Sequence, residues 1–151
     1  MKPMVKDTGF MHNDALTHDY VIRAGKRLLA VEVLFRESSW ADVVRECQEI
    51  VELSLKALLR SCRVEVPRIH DVSGALEINK DRLPEPARGA LANLIHASKS
   101  LRRDRELAFY GSEDLTPSEF YNLSDAEAAI AFARQTHFIV AASIKTTQCS
   151  G

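Results

Sequence analysis

Apolar residues recur every three or four positions along most of this chain, with polar and charged residues between them. This period is typical of amphipathic α-helices, because it places the apolar side chains on one face. The pattern predicts four long helices and one short one, over residues 14–37, 40–62, 71–78 (the short one), 84–111 and 124–146. Long helices with few breaks between them indicate an all-α protein.

The clearest helix lies between Ser39 and Pro67. Its apolar stripe is unbroken and comprises Trp40, Val44, Cys47, Val51, Leu55, Leu58 and Cys62. Since Val43, Ile50 and Leu53 lie off this stripe, the helix is apolar around more of its girth than one face. We expect such a helix to be buried on two sides. The second side meets either another helix of the chain or a second copy of the protein.

The predicted helix ends carry residue types that favour those positions, namely Asp14 and Asp71 at N-caps, Pro84 and Pro86 in a first turn, and Gly111 just after a helix. Residues 112–123 are expected to form a loop or a single turn. Ser124 and Glu127 have the spacing of a capping box, which predicts the start of the last helix.

Composition narrows the architecture further. Hydrophobic residues make up 46% of the chain and charged residues 27%, which is ordinary for a globular protein. Six glycines and five prolines are too few for the frequent turns of a β-sandwich or barrel. We therefore expect one domain over residues 1–151, an up-and-down four-helix bundle with an additional short helix. Its core spans about residues 14–146, between a flexible N-terminal arm and a C-terminal tail.

Charge, hydropathy and cysteine content exclude several functional classes of protein. The formal net charge of −1 excludes a globally basic nucleic-acid binder, so any anion site must come from local clustering. No apolar run approaches the ~20 residues of a transmembrane helix. The three cysteines are odd in number and fit no zinc motif. We expect a cytoplasmic protein with reduced thiols, no membrane association, no metal and no cofactor.

Two segments carry a family resemblance. The segment Glu46–Asp71 contains Gln48, Glu52, the run Lys56-Ala57-Leu58-Leu59, Pro67 and His70-Asp71. It resembles the second helix and the following turn of HEPN domains (higher eukaryotes and prokaryotes nucleotide-binding). The segment Arg105–Gly111 resembles the end of a later helix in small prokaryotic HEPN proteins. The resemblance covers roughly residues 14–146.

This resemblance implies an up-and-down helical bundle that commonly pairs as a homodimer. It also implies a nucleotide or RNA site at the cleft between the two copies. Many members of the family are ribonucleases, often toxins, and others are non-catalytic partners of small nucleotidyltransferases.

A cluster of cations near the end of the fourth long helix is the first candidate ligand site. Arg102, Arg103 and Arg105 form the cluster, and Phe109 and Tyr110 follow it. Arginine can hold two phosphate oxygens at once, and an adjacent aromatic ring can stack on a base. The alternative is a solvated helix face on which Asp104 and Glu106 neutralise part of the charge.

The same segment lacks a histidine. HEPN ribonucleases place a histidine four to six residues after an arginine, and residues 106–111 contain none. Arg105 and Tyr110 are the remaining catalytic candidates, and the ordinary pKa of tyrosine, ~10, makes it a poor acid–base at neutral pH. We therefore expect a binding protein rather than an enzyme.

Gln48, Glu52 and Lys56 form a second candidate ligand site, because spacings of four residues place them on one face of the most apolar helix. They form either an exposed ion pair or a polar seam in a cleft. Two further sets of polar residues are expected to have structural rather than functional roles. We interpret His137 as a packed histidine on an apolar face, and His70-Asp71 as a turn and helix cap.

These observations support three hypotheses. The first is a homodimeric HEPN module that engages a nucleotide, RNA or a small nucleotidyltransferase partner. The second is a degenerate HEPN ribonuclease toxin of a toxin–antitoxin pair. The third is a purely structural dimer whose partner protein supplies all the chemistry.

Overall fold

A computed structural model describes residues 2–66, 72–103 and 115–150 of the chain, with side chains over 15–66, 72–102 and 115–145. These residues form helices and connecting turns without any strand. The elements in chain order are α1 (Lys2–Arg36), α2 (Trp40–Ser61), α3 (Val72–Ile78), a 3₁₀ turn (Lys80–Arg82), α4 (Glu85–Gly89), α5 (Leu91–Arg103), α6 (Pro117–Phe120) and α7 (Leu123–Ser150). The predicted all-α helical bundle is confirmed.

Helix α2 is the centre of the bundle. It contacts α1 and α7 most extensively, and it also contacts α3, α5 and α6. Twelve of its 22 residues are buried, and they include Val43 and Ile50 outside the main stripe. The prediction that α2 is buried on two sides is therefore confirmed. Other helices of the same chain cover both sides, so α2 needs no second copy to bury its apolar surface.

Helices α1 and α7 approach each other closely near Gly25. A Cβ atom at this position would lie 3.3 Å from Nε2 of His137. The His137 ring forms a hydrogen bond of 3.1 Å with the backbone carbonyl of Val21. Glycine therefore makes room for the imidazole at the helix crossing, and the interpretation of His137 as a packed, hydrogen-bonded histidine fits this contact.

The long helices extend beyond their predicted ends. Helix α1 begins at Lys2, so Asp14 lies inside it and does not cap it, and the backbone of the expected N-terminal arm is helical. Helix α7 likewise continues to Ser150, through the expected tail. Adding a turn to an existing helix avoids the cost of nucleating a new one. The added turn therefore does not require the apolar periodicity by which a helix is recognised in the sequence. The sequence pattern predicts only the part of a helix in which apolar residues recur with the helical period.

The start of α7 also differs from the prediction. The side chain of Asn122 accepts a hydrogen bond from the Asp125 backbone N–H, and the Asp125 carboxylate accepts one from the Asn122 backbone N–H, both at 3.0 Å. This capping box lies two residues before the predicted Ser124–Glu127 box. Both pairs have the required spacing of three, so the motif alone does not decide between them.

The predicted helix 84–111 is divided into α4 and α5. Ala90 leaves helical geometry, with φ −110° and ψ 15°, directly after Gly89. The two parts differ in their main neighbours, since α4 packs on α7 whereas α5 packs mainly on α2 and α3 and contacts α7 less. The predicted turn around Pro117 is confirmed as the single-turn helix α6. The predicted caps at Asp71 and Gly111 lie outside the described residues.

None of the helices in the described part of the chain is both long and apolar enough to cross a bilayer.

Replacing Ile50 with alanine should destabilise the protein strongly. Its side chain is 0% exposed in the middle of α2, and truncating such a residue costs about 2–5 kcal/mol. Ile78→Ala is the matched control, because Ile78 is 84% exposed and loses the same atoms. Urea denaturation of both variants checks the difference. Equal effects of the two substitutions would contradict the central position of α2.

The thiol of Cys47 should resist alkylation in the folded protein. Burial, and next the charge of Glu46, raise its pKa to about 12, while Arg134 lowers it slightly. At pH 8 only ~10⁻⁴ of such a thiol is the reactive thiolate. Iodoacetamide labelling followed by peptide mass spectrometry should therefore modify Cys47 in urea but not in buffer. Rapid labelling in buffer would show that this part of α2 opens.

Partly buried Cys62 is the internal comparison. Its burial raises the pKa of the thiol, and a hydrogen bond with Ser61 opposes this effect. We expect Cys62 to react more slowly than a free thiol but faster than Cys47.

Candidate functional site

A small recess between α2 and α5 brings Arg102, from the first candidate ligand site, beside Gln48 and Glu52 from the second. Its polar lining consists of Gln48 and Glu52 from α2 and Ser98 and Arg102 from α5. We call this feature the α2–α5 recess. Its volume is about 10 Å³, with further walls from Val51, Val72 and Leu101. A space of this size admits one water molecule, or one hydroxyl or amino group of a ligand.

The α2 side of the recess is a chain of hydrogen bonds centred on Glu52. The side-chain amide of Gln48 donates to one carboxylate oxygen at 2.9 Å, and Lys56 donates to the other at 2.8 Å. The Glu52 side chain is only 11% exposed and that of Lys56 28%. The three residues therefore form a polar seam at the border of the core, rather than an exposed ion pair.

Gln48 has one unused hydrogen-bonding group. Its side chain is buried, and no described group donates to its Oε1 atom. Leaving a buried acceptor unpaired costs about 1–3 kcal/mol, so a hydrogen-bond donor at this position is favoured. Because Gln48 lines the α2–α5 recess, such a donor can enter from the recess.

The α5 side of the recess supplies a cation. Arg102 is exposed, and it lies four residues after Ser98, which places both side chains on one face of α5. Arg102 is predicted from the sequence and Ser98 is not, although the spacing of four residues between them is visible in the sequence. The sequence also gave no indication that Arg102 lies beside Gln48 and Glu52, since that depends on how α5 packs against α2.

The other members of the predicted cation cluster lie outside what the structure describes. These are the side chain of Arg103 and residues Arg105, Phe109 and Tyr110, and His70-Asp71 falls in another such segment. Of the predicted ligand-binding residues, the structure therefore brings together Gln48, Glu52, Lys56 and Arg102.

A larger groove opens between α1 and α7. Its volume is about 530 Å³, and its charged lining comprises Glu32, Arg36, Glu127 and Arg134, beside the ring of Phe35. Arg134 and Glu32 approach to 3.8 Å across the groove. The sequence does not predict this groove, because its two walls are about a hundred residues apart in the chain.

Among the residues with described side chains, no group of three or more histidine, cysteine, aspartate or glutamate residues is placed to hold a metal ion. The α2–α5 recess is thus defined by one arginine, one unpaired amide oxygen and a compensated carboxylate.

Comparison with known proteins identifies the family. A sequence model of the HEPN domain matches residues 17–141, which is most of the chain. No curated protein and no solved structure compared with the chain is a match. The matched region runs from α1 to α7 and includes both sides of the α2–α5 recess. The chain belongs to the HEPN domain family.

Proposed function

We propose that this protein is a non-catalytic HEPN module that binds the phosphate of a nucleotide or of RNA at the α2–α5 recess. The proposal rests on the position of Arg102. This exposed cation lies at the same recess as the Oε1 atom of Gln48, a buried acceptor to which no described group donates. A cation and an acceptor at one site match a ligand with a phosphate and a neighbouring hydrogen-bond donor.

Arg102 provides the contact with phosphate. Its planar guanidinium can donate two parallel hydrogen bonds to phosphate oxygens, and such charge-assisted bonds are stronger than neutral ones. The nearby carboxylate of Glu52 does not present a free negative charge to the ligand, because Lys56 is bound to it at 2.8 Å. A phosphate beside Arg102 therefore meets little repulsion from the seam.

Gln48 provides the second contact. Its Oε1 atom can accept a hydrogen bond from a hydroxyl or an amino group, and the recess has room for a group of that size only. The walls of Val51 and Leu101 exclude a whole base. A ribose hydroxyl or an exocyclic amine satisfies both the acceptor and the size limit, and nucleotides and RNA carry these groups near a phosphate.

Binding is favoured over catalysis by the chemistry of the side chains. None of the described residues lining the recess is a histidine, and the sequence after the arginine cluster lacks one at the offset that HEPN ribonucleases use. Arginine stays protonated at any physiological pH, so Arg102 can hold a phosphate but cannot move a proton.

Replacing Arg102 with alanine should weaken ligand binding roughly 10- to 100-fold, which is the range expected for the loss of a charge-assisted hydrogen bond. Fluorescence anisotropy with a labelled short RNA, and competition by ATP and GTP, measures the change. Gln48→Leu should weaken binding of the RNA more than binding of the DNA of the same sequence, provided that the donor is the 2′-hydroxyl.

Arg88→Ala is the matched control for charge. Arg88 is an exposed arginine on α4 that pairs with Glu85 at 3.3 Å, and it lies outside the recess. Equal weakening by Arg88→Ala and Arg102→Ala would contradict a specific site. Absence of any binding by the wild type would contradict the proposal and favour a purely protein-binding role, such as pairing with a nucleotidyltransferase.

The purified protein should leave RNA intact. A structured RNA incubated with an excess of protein should show the same length distribution on a denaturing gel as RNA alone, because no described group at the recess is suited to general acid–base catalysis at neutral pH. Cleavage that disappears in Arg105→Ala or Tyr110→Phe would instead support the degenerate ribonuclease.

A further inference from the structure

The groove between α1 and α7 carries two charges of each sign on its walls. Helix α1 contributes Glu32 and Arg36, one turn apart, and α7 contributes Glu127 and Arg134, two turns apart. All four residues are exposed. The charged lining is therefore neutral as a whole, and it offers both an anionic and a cationic partner to a ligand.

Helices α1 and α7 run antiparallel along the groove. The ring of His137 on α7 packs against Gly25 on α1. Arg134, one turn earlier on α7, approaches Glu32, two turns later on α1, to 3.8 Å. This first pair of opposite charges lies at one end of the groove. An ion pair so exposed contributes little to stability.

A second pair of opposite charges lies at the other end. Arg36 is one turn beyond Glu32 on α1, and Glu127 is two turns before Arg134 on α7. Because the helices are antiparallel, Arg36 and Glu127 lie on opposite walls at the same end. In the described part of the chain these two side chains form no ion pair with each other. The space between them can therefore receive a ligand that carries both signs of charge.

The surface between the two walls is partly apolar. Ile130 is only 8% exposed, and the half-buried ring of Phe35 lies beside it in the lining. The volume of about 530 Å³ is in the range of pockets that bind small ligands, roughly 300–1,000 Å³. A ligand that matches the groove combines two opposite charges with an apolar group.

We propose that this groove binds a free α-amino acid with a large apolar side chain. The carboxylate of the ligand accepts hydrogen bonds from the guanidinium of Arg36, and its ammonium group donates to the carboxylate of Glu127. Its side chain packs on Phe35 and Ile130. The inference goes beyond the proposed function, because the described lining of the α2–α5 recess comes from α2, α3 and α5.

The neutral lining disfavours ligands with a single sign of charge. A polyanion such as a nucleotide would be repelled by Glu32 and Glu127, and a polyamine would be repelled by Arg36 and Arg134. A zwitterion instead meets an opposite charge at each of its ends. Free α-amino acids carry an ammonium group, a carboxylate and a side chain on one carbon atom, which is the combination that the groove requires.

Binding can be followed at a tryptophan beside the groove. Trp40 is the single tryptophan of the chain, and its ring centroid lies 5.1 Å from that of Phe35. Titration of the full chain with phenylalanine or leucine should change the tryptophan fluorescence, and calorimetry should give the affinity. N-acetylphenylalanine and phenylalanine amide should each bind about 10-fold or more weakly, because each lacks one charged group.

Substitutions assign each charge of the ligand to its partner. Arg36→Gln should weaken the binding of phenylalanine about 10-fold or more, but it should not further weaken the binding of phenylalanine amide, which has no carboxylate. Glu127→Gln should behave in the same way with N-acetylphenylalanine, which has no ammonium group. Arg23→Gln is the matched control, since Arg23 is 49% exposed on α1 and lies outside the groove. Circular dichroism verifies that the variants remain helical.

Three results would each overturn the proposal. These are no binding of phenylalanine or leucine at millimolar concentration, equal affinity for phenylalanine and its two blocked derivatives, and equal weakening by Arg23→Gln and Arg36→Gln. The comparison of derivatives needs only the wild-type protein, so it decides the proposal even if a variant fails to fold. RNA binding is measured separately, so the failure of one proposal is distinguishable from the failure of the other.

Discussion

The near-complete burial of α2 is the constraint on which the rest of the structure depends. A helix that is apolar around most of its girth must be covered on more than one side, and α1, α7, α3 and α5 supply that cover. The division of 84–111 into α4 and α5 follows from this demand. The bend at Ala90 changes the direction of the chain, so that α4 contacts α7 while α5 contacts α2 and α3.

The same constraint creates the α2–α5 recess. Polar side chains on a buried helix need internal partners, because water is not available to them. Glu52 obtains such partners from Gln48 and Lys56 on its own helix, but the amide oxygen of Gln48 is left without a donor where α5 packs. The seam thus stabilises the border of the core and also leaves one acceptor beside Arg102. A ligand contact at this point would complete a hydrogen-bonding requirement of the fold itself.

Whereas α2 carries polar side chains at the border of the core, the outer surface of the bundle carries exposed apolar side chains. Helices α1 and α7 bury Ala24 and Ala133 together with larger residues such as Val140, whereas Leu29 and Phe138 are exposed. Small residues between helices permit close packing, as the Gly25–His137 contact illustrates. The exposed apolar side chains of Leu29 and Phe138 therefore contribute little to the core of one chain.

The sequence by itself determined the helical class, the central importance of α2 and the family, because helical period and local motifs are properties of neighbouring residues. It also identified Gln48, Glu52 and Lys56 as one face of a helix. It did not fix the start of α1, where the sequence has no apolar periodicity, or the cap of α7, where two motifs compete. Only the tertiary structure placed Ser98 and Arg102 beside Gln48, since the rotation of α5 about its axis depends on packing with α2. For the same reason, the apolar period of α1 did not show which of its residues face outward.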